Sequence, residues 1–186
     1  MTELTDLPLP PDADAPDEVM WQGKFITTRK RGRWEYVSRA RGIRAAVILA
    51  VDAEDHVILV DQFRVPLGKR CIELPAGLVG DHDEHADEDA SIAAARELEE
   101  ETGYHAGRME NLGEFYSSPG MVSESFTLFQ AHDLVKVGEG GGVDSEDIVV
   151  HRVPLAGIQH QITEWRDAGY AMDVKLLMLL GARILG

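Results

Sequence analysis

Along most of this chain apolar residues come in short runs broken by turn residues, and the pattern turns helical in the middle and again toward the C-terminal end. From Trp21 the pattern is strand-like. Lys24–Lys30 and Trp34–Arg39 flank a turn at Arg31-Gly32 and predict a hairpin. Ala45–Val51 and His56–Asp61, joined by a turn over Asp52–Asp55, predict a second pair, and Cys71–Leu74 predicts a short strand ending at Pro75-Ala76-Gly77. Gly80–Asp89 is acidic and loop-like. Ala90–Thr102 is rich in Ala and Glu and stops at Gly103, which predicts a helix with a glycine stop. Tyr116 and Phe126–Ala131 bracket a Ser-Pro-Gly loop between strands. Gly138–Asp147, with its glycines and acids, predicts a mobile loop and Ile148–Val153 a strand. Pro154–Asp167 and Asp173–Leu185 predict two helices, the second with Asp173 as N-cap. This order predicts a mixed sheet flanked by helices, α/β or α+β in class.

Composition narrows the class. A hydrophobic share of 44% in 186 residues supports one domain with its own core. Residues 1–18, with Pro8, Pro10, Pro11 and Pro16 among acids, read as a disordered tail. No apolar run is long enough to span a membrane, and the opening MTELTDLPLP has no basic start and no apolar core, so no signal peptide is expected. The single cysteine, Cys71, allows no intrachain disulfide and fits a reducing, cytoplasmic compartment. It lies in an apolar strand and reads as an inert core thiol.

Charge is strongly and unevenly negative. Eighteen basic against 33 acidic residues give −15, which disfavours nucleic acid as a partner. Yet Lys24, Arg29, Lys30, Arg31, Arg33, Arg39, Arg41 and Arg44 lie in one window whose only acid is Glu35, giving it +7 against −22 elsewhere. Two readings stand: basic hairpin edges that discourage edge-to-edge pairing, or a surface that faces phosphate.

The predicted helix carries the chemistry. It ends Arg96-Glu97-Leu98-Glu99-Glu100-Glu101-Thr102-Gly103-Tyr104. At about 100° per residue Glu97, Glu100 and Glu101 share one stripe, with Ala94 and Leu98 on the adjoining arc and Glu99 pointing away. Like charges at this spacing repel, and carboxylates near a helix C-terminus oppose its dipole. A solvated acidic face is one reading. A site for divalent cations is the other, since a bound ion turns the repulsion into affinity, and oxygen-only ligands suit Mg²⁺ or Mn²⁺.

This run, Arg96 to Tyr104 with Leu98 and Tyr104 at the hydrophobic positions, resembles the second half of the Nudix box. The family pattern is Gly, five residues, Glu, seven residues, then Arg-Glu-hydrophobic-x-Glu-Glu-x-Gly-hydrophobic. With seven residues between them, Glu88 precedes Arg96 as the pattern asks. With five more residues between, the next position back is His82, so Gly77 takes the glycine's place and the chain carries a five-residue insertion within Gly80–Asp87. The histidines of that insertion, His82 and His85, sit among solvated acids and are not expected to form a metal site. Gln62-Phe63-Arg64, Ile72-Glu73-Leu74-Pro75-Ala76-Gly77, and Pro119 fifteen residues beyond Tyr104 resemble the ADP-ribose pyrophosphatase branch.

That resemblance implies a Nudix fold: a mixed central β-sheet sandwiched between helices, with residues 19–42 as an N-terminal β-hairpin element used in homodimerisation and substrate binding, and residues 43–186 as the catalytic domain. It implies Mg²⁺-dependent hydrolysis of ADP-ribose to AMP and ribose 5-phosphate, with Mn²⁺ able to substitute. Another nucleoside diphosphate sugar, such as GDP-mannose, is the alternative substrate. Glu97 and Glu101 are implied as metal ligands together with the carbonyl of Ala76, with Glu100 beside them and Arg96 orienting the carboxylates. Arg39 and Arg64 are implied as diphosphate or ribose contacts, with Glu73 supporting a strand end or a substrate group. Trp34 would stack on the base, and Trp21 would offer a second face from the other subunit. Glu146, in Asp144-Ser145-Glu146-Asp147, is implied as the general base, with Gly140-Gly141-Gly142 as the hinge that closes it over substrate.

Two readings from other classes compete. A non-catalytic ligand sensor on the same fold would be expected to lose box carboxylates or gain a DNA-reading domain, and Glu97, Glu100 and Glu101 are all kept. An acidic cation buffer would need the ordered ligand spacing of a calcium loop, which Gly138–Asp147 lacks.

Overall fold

The expected hairpin forms, and a third strand joins it. The computed structural model describes residues 8–40, 44–79, 89–142 and 146–184, which fall into two compact units. The insertion with His82, His85 and Glu88, together with Arg41 and Asp144, lies outside the described residues.

The first unit holds residues 8–40 and 116–124. Strands β1 (Asp17–Gln22), β2 (Ile26–Arg31) and β3 (Trp34–Arg39) form an antiparallel sheet in that order. β1 starts inside the segment expected to be disordered, and charge explains why. Asp17 pairs with Arg29 at 2.5 Å and accepts the Tyr36 hydroxyl at 2.9 Å. Asp12 accepts from Arg33 Nε at 2.9 Å. The Tyr36 bond, followed by Arg29 and Arg31, holds the Asp17 carboxyl below its usual range against the opposing effect of burial. Acids from the proline-rich stretch therefore neutralise part of the basic window. The chain returns to this unit at Tyr116–Glu124, where the Val37 amide donates to Met121 O at 3.0 Å and the Ser123 amide to Val37 O at 2.9 Å.

The second unit holds residues 44–115 and 125–184 and two mixed four-stranded sheets. One has the order β7 (Ala76–Val79), β4 (Arg44–Ala50), β9 (Ser125–Lys136), β8 (Tyr104–Tyr116); the other has β10 (Val149–Pro154), β5 (His56–Arg64), β6 (Lys69–Glu73), β11 (Ala171–Met172). The expected pairing of β4 with β5 does not occur beyond a single bridge, Val51 to Val57. The Asp52 turn does form, with Asp52 Oδ1 accepting from the Glu54 and His56 amides at 2.9 and 3.0 Å. Past it the strands diverge into different sheets. The reason lies in their apolar runs, which have two faces to bury. On β4, Ala46 and Ile48 join one core and Val47 the other; on β5, Ile58 joins the first and Val57 and Leu59 the second.

Helices cover both cores. Helix α1 (Ala90–Thr102) presses Ala93, Ala94 and Leu98 into the first. Helix α2 (Ile158–Asp167) places Ile158, Ile162 and Trp165 against the second, and α3 (Leu177–Ile184) adds Leu179 and Leu180 at its margin. Sheets between helices are the architecture expected, divided over two sheets rather than one. Asp173 caps a short 3₁₀ turn, Val174–Leu176, that leads into α3. Cys71 is buried, and burial pushes its thiol up to about 12, as an inert core position requires. Among the described residues no helix is long and apolar enough to cross a membrane.

Candidate active site

Local sequence sets the position of α1. Asp89 caps its first turn by accepting from the Ser91 amide at 2.8 Å. Gly103, at φ +70°, ends it with its amide on Glu99 O at 2.8 Å. The buried Ala94 and Leu98 then fix the helix rotation, and the carboxylate stripe follows from it.

Glu101 is buried, with 9% of its surface exposed, and its Oε2 accepts from the Ala76 amide at 3.0 Å. Glu97 lies against Gly77, where a Cβ would collide with the Glu97 side chain, so only glycine lets the strand pass this close. Arg96 reaches Glu97 and Glu100, each at 3.0 Å. Glu99 instead faces solvent and meets His105 at 2.8 Å. Burial pushes Glu101 up to about 8, and the negative charges of Glu97 and Glu146 push the same way, while the Ala76 amide and the Arg64 charge oppose.

Among the described residues no three His, Cys, Asp or Glu side chains form a closed metal cage. Mg²⁺ seldom uses one: it takes one or two carboxylates and fills the remainder of its shell with water and substrate phosphate. The donors at hand are hard oxygens beside the Ala76-Gly77 backbone, and one of them is a buried carboxyl whose charged form burial disfavours. They fit a divalent ion.

Glu146 belongs to this neighbourhood. Its charge acts on Glu101, its carboxylate lies against Gly142, and its carbonyl accepts from Gln62 Nε2 at 3.1 Å. The glycines before it are not a free hinge. Gly141 and Gly142 donate to Glu101 O and Glu100 O at 2.8 and 3.0 Å, the Val137 and Gly138 amides both reach Gly103 O, and Lys136 Nζ reaches Thr102 O at 2.9 Å. These bonds occupy the last carbonyls of α1. A Cβ on Gly140 would collide with the Thr102 backbone, so glycine is required here for close approach.

The remaining predicted residues are more dispersed. Arg64 grips Glu73 with two parallel bonds, Nε–Oε1 at 2.6 Å and Nη2–Oε2 at 2.9 Å. Glu73 is buried and committed to that arginine. In the first unit Trp34, half exposed, lines a cleft of about 720 Å³ with Tyr36, Arg39 and Pro119. Arg39 is ion-paired with Glu124. Trp21 does not line this cleft: it stands opposite Thr28, whereas Trp34 pairs with Arg31. Sequence reading did not single out Gln62, whose side chain holds the Glu146 carbonyl, or Asp61 and Arg70, which pair with each other. The one available signal was Asp61, a polar side chain closing the apolar run Val57–Val60.

Residues 41–171 match the NUDIX domain, and the chain belongs to that family. The ADP-ribose pyrophosphatase of Bacillus subtilis is 38% identical over 105 residues, 56% of this chain and 54% of that protein, so the match spans about half the Bacillus relative's length. The GDP-mannose pyrophosphatase of Cronobacter sakazakii is 35% identical over 183 residues, 88% of this chain and 90% of its own. A solved ADP compounds hydrolase shares the fold, at 22% identity and TM-score 0.67 over 91% of both chains.

Proposed function

We propose that this chain is a Mg²⁺-dependent pyrophosphatase that hydrolyses ADP-ribose with water to AMP and ribose 5-phosphate. The observation that carries the reading is the convergence of Glu97 and Glu101 on Ala76-Gly77, with Glu101 buried and accepting from the Ala76 amide. Glu97, Glu101 and the Ala76 carbonyl would hold the ion, Glu100 would support it, and Arg96 orients the carboxylates. A divalent cation held there would neutralise diphosphate charge and lower the pKa of a bound water. Glu146 takes the proton from the attacking water. Arg64, positioned by Glu73, offers its charge to the diphosphate, and the cleft with Trp34 and Arg39 takes the base and ribose.

GDP-mannose is the second reading. Its support is that the Cronobacter relative matches over 88% of the chain, whereas the Bacillus subtilis relative matches over 56%. We further propose a cytoplasmic homodimer. Val19, Met20 and Trp21 on the edge strand β1, with Phe25 and Ile26 beside them, are exposed apolar side chains that a second copy would cover. Such a copy could bring Trp21 to a neighbouring substrate.

The test is a panel of ADP-ribose, GDP-mannose, UDP-glucose and NADH with Mg²⁺, with products identified by mass spectrometry. AMP and ribose 5-phosphate from ADP-ribose support the main reading, and preferential GMP release from GDP-mannose moves it to the second. No turnover of any member, with nucleotide binding intact, would leave a ligand sensor.

A further inference from the structure

Beside the Glu146 segment lies a charge network, built on one buried carboxylate, that the chemistry above does not use. Asp61, on β5, is 2% exposed. Its Oδ1 accepts from Arg70 Nε on β6, and its Oδ2 meets His151 Nε2 on β10 at 2.7 Å. The His151 ring in turn stands edge-on to Trp165, with centroids 5.2 Å apart. A buried carboxylate with both oxygens engaged is a fixed point.

Arg70 extends from that point toward the site. Its Nη1 donates to Asp147 Oδ2 at 2.9 Å and its Nη2 to Asp147 O at 2.9 Å and to Asp61 O at 3.0 Å. Asp147 has φ +49°, a left-handed conformation uncommon outside glycine, though aspartate adopts it more readily than most side chains. Arg70 grips both the side chain and the carbonyl of that residue. One residue earlier, Gln62 holds the carbonyl of Glu146. The dipeptide Glu146-Asp147 is thus held by side chains of two neighbouring strands, β5 and β6.

We propose that Arg70, anchored by Asp61, is a positioning residue that sets the Asp147 turn and thereby the reach of the Glu146 carboxylate toward the carboxylates of α1. This rests on the reading of Glu146 as general base. Arg70 acts through its fork. The guanidinium spans Asp61 and both the carboxylate and the backbone carbonyl of Asp147, which a lysine ammonium, a single point of charge, does not do.

Removing Arg70 outright would leave Asp61 buried without its cation and endanger folding. The test therefore uses Arg70→Lys, which keeps the charge, and Asp147→Gly, which leaves the Arg70–Asp61 pair intact and suits the positive φ. Each is measured alone and combined with Glu146→Gln, for kcat and KM of the substrate that the panel identifies, with thermal midpoints to check the fold. The expected result is a kcat loss of about ten- to a hundredfold for each single variant, since misplacing a reacting group by about 1 Å costs on that scale. KM and thermal midpoint should stay near those of the parent, and neither variant should cause further loss in the Glu146→Gln background. Near-normal kcat in both variants, or losses that add to that of Glu146→Gln, overturns the positioning role while leaving Glu146 as base. A Glu146→Gln protein with near-normal kcat overturns the base assignment, and the positioning role with it.

Discussion

Replacing Glu101 by glutamine should stabilise the metal-free protein while abolishing its activity. The folded protein raises the Glu101 carboxyl from about 4.5 to about 8, chiefly by burial. Between those values the folded state binds a proton that the unfolded state has lost, so stability is full below the lower value and falls as pH rises toward the upper one. At about 1.4 kcal/mol per pH unit the loss reaches about 3 kcal/mol at pH 7, with a ceiling of about 5 kcal/mol above pH 8. Glutamine is neutral throughout, can still accept from the Ala76 amide, and carries no charge to repel Glu97 and Glu146. Urea unfolding in EDTA at pH 5, 7 and 9 measures the effect. Parent and variant should be close at pH 5, and the variant should be more stable by several kcal/mol at pH 9. Mg²⁺ should then stabilise the parent and leave the variant nearly unmoved. Parallel pH profiles for the two proteins would refute the claim that this carboxyl is held protonated by its surroundings.

Glu97→Gln should lose most activity and weaken Mg²⁺ binding by calorimetry, whereas Glu99→Gln, on the solvent face beside His105, should keep kcat within about twofold; equal damage would contradict the rotation that Ala94 and Leu98 give α1. Gly77→Ala should push the Glu97 side chain away and weaken Mg²⁺ affinity by about tenfold with the fold retained by circular dichroism. Trp34→Ala should raise KM more than it lowers kcat, because stacking is felt equally in ground and transition states; an unchanged KM would leave Trp34 as a packing residue.

Helix α1 was legible to the residue because everything that defines it is local: a polar cap, alanine-rich turns, a glycine stop and a stripe set by the helical repeat. The facing of Glu97, Glu100 and Glu101 came with it. The partners of β4 and β5 were not legible, because a turn at Asp52 shows where two strands reverse but not whether they stay in one sheet. The start of β1 was hidden for a related reason. Asp12 and Asp17 look like tail acids until Arg29, Arg31 and Arg33 meet them from the hairpin. The hold on Glu146 was least visible of all, since Arg70 and Asp147 stand 77 positions apart and neither has an unusual local pattern. The glycine run before Glu146 suggested freedom by composition, but contact with α1 removes that freedom.

That last contact ties the time scales of two segments together. The amides of Gly141 and Gly142 close the carbonyls of Glu101 and Glu100, so the strand-side loop cannot lift without uncapping the final turn of the helix. In hydrogen exchange these glycine amides and the last turn of α1 should open as one cooperative unit, at one common free energy, rather than as a fast loop beside a slow helix.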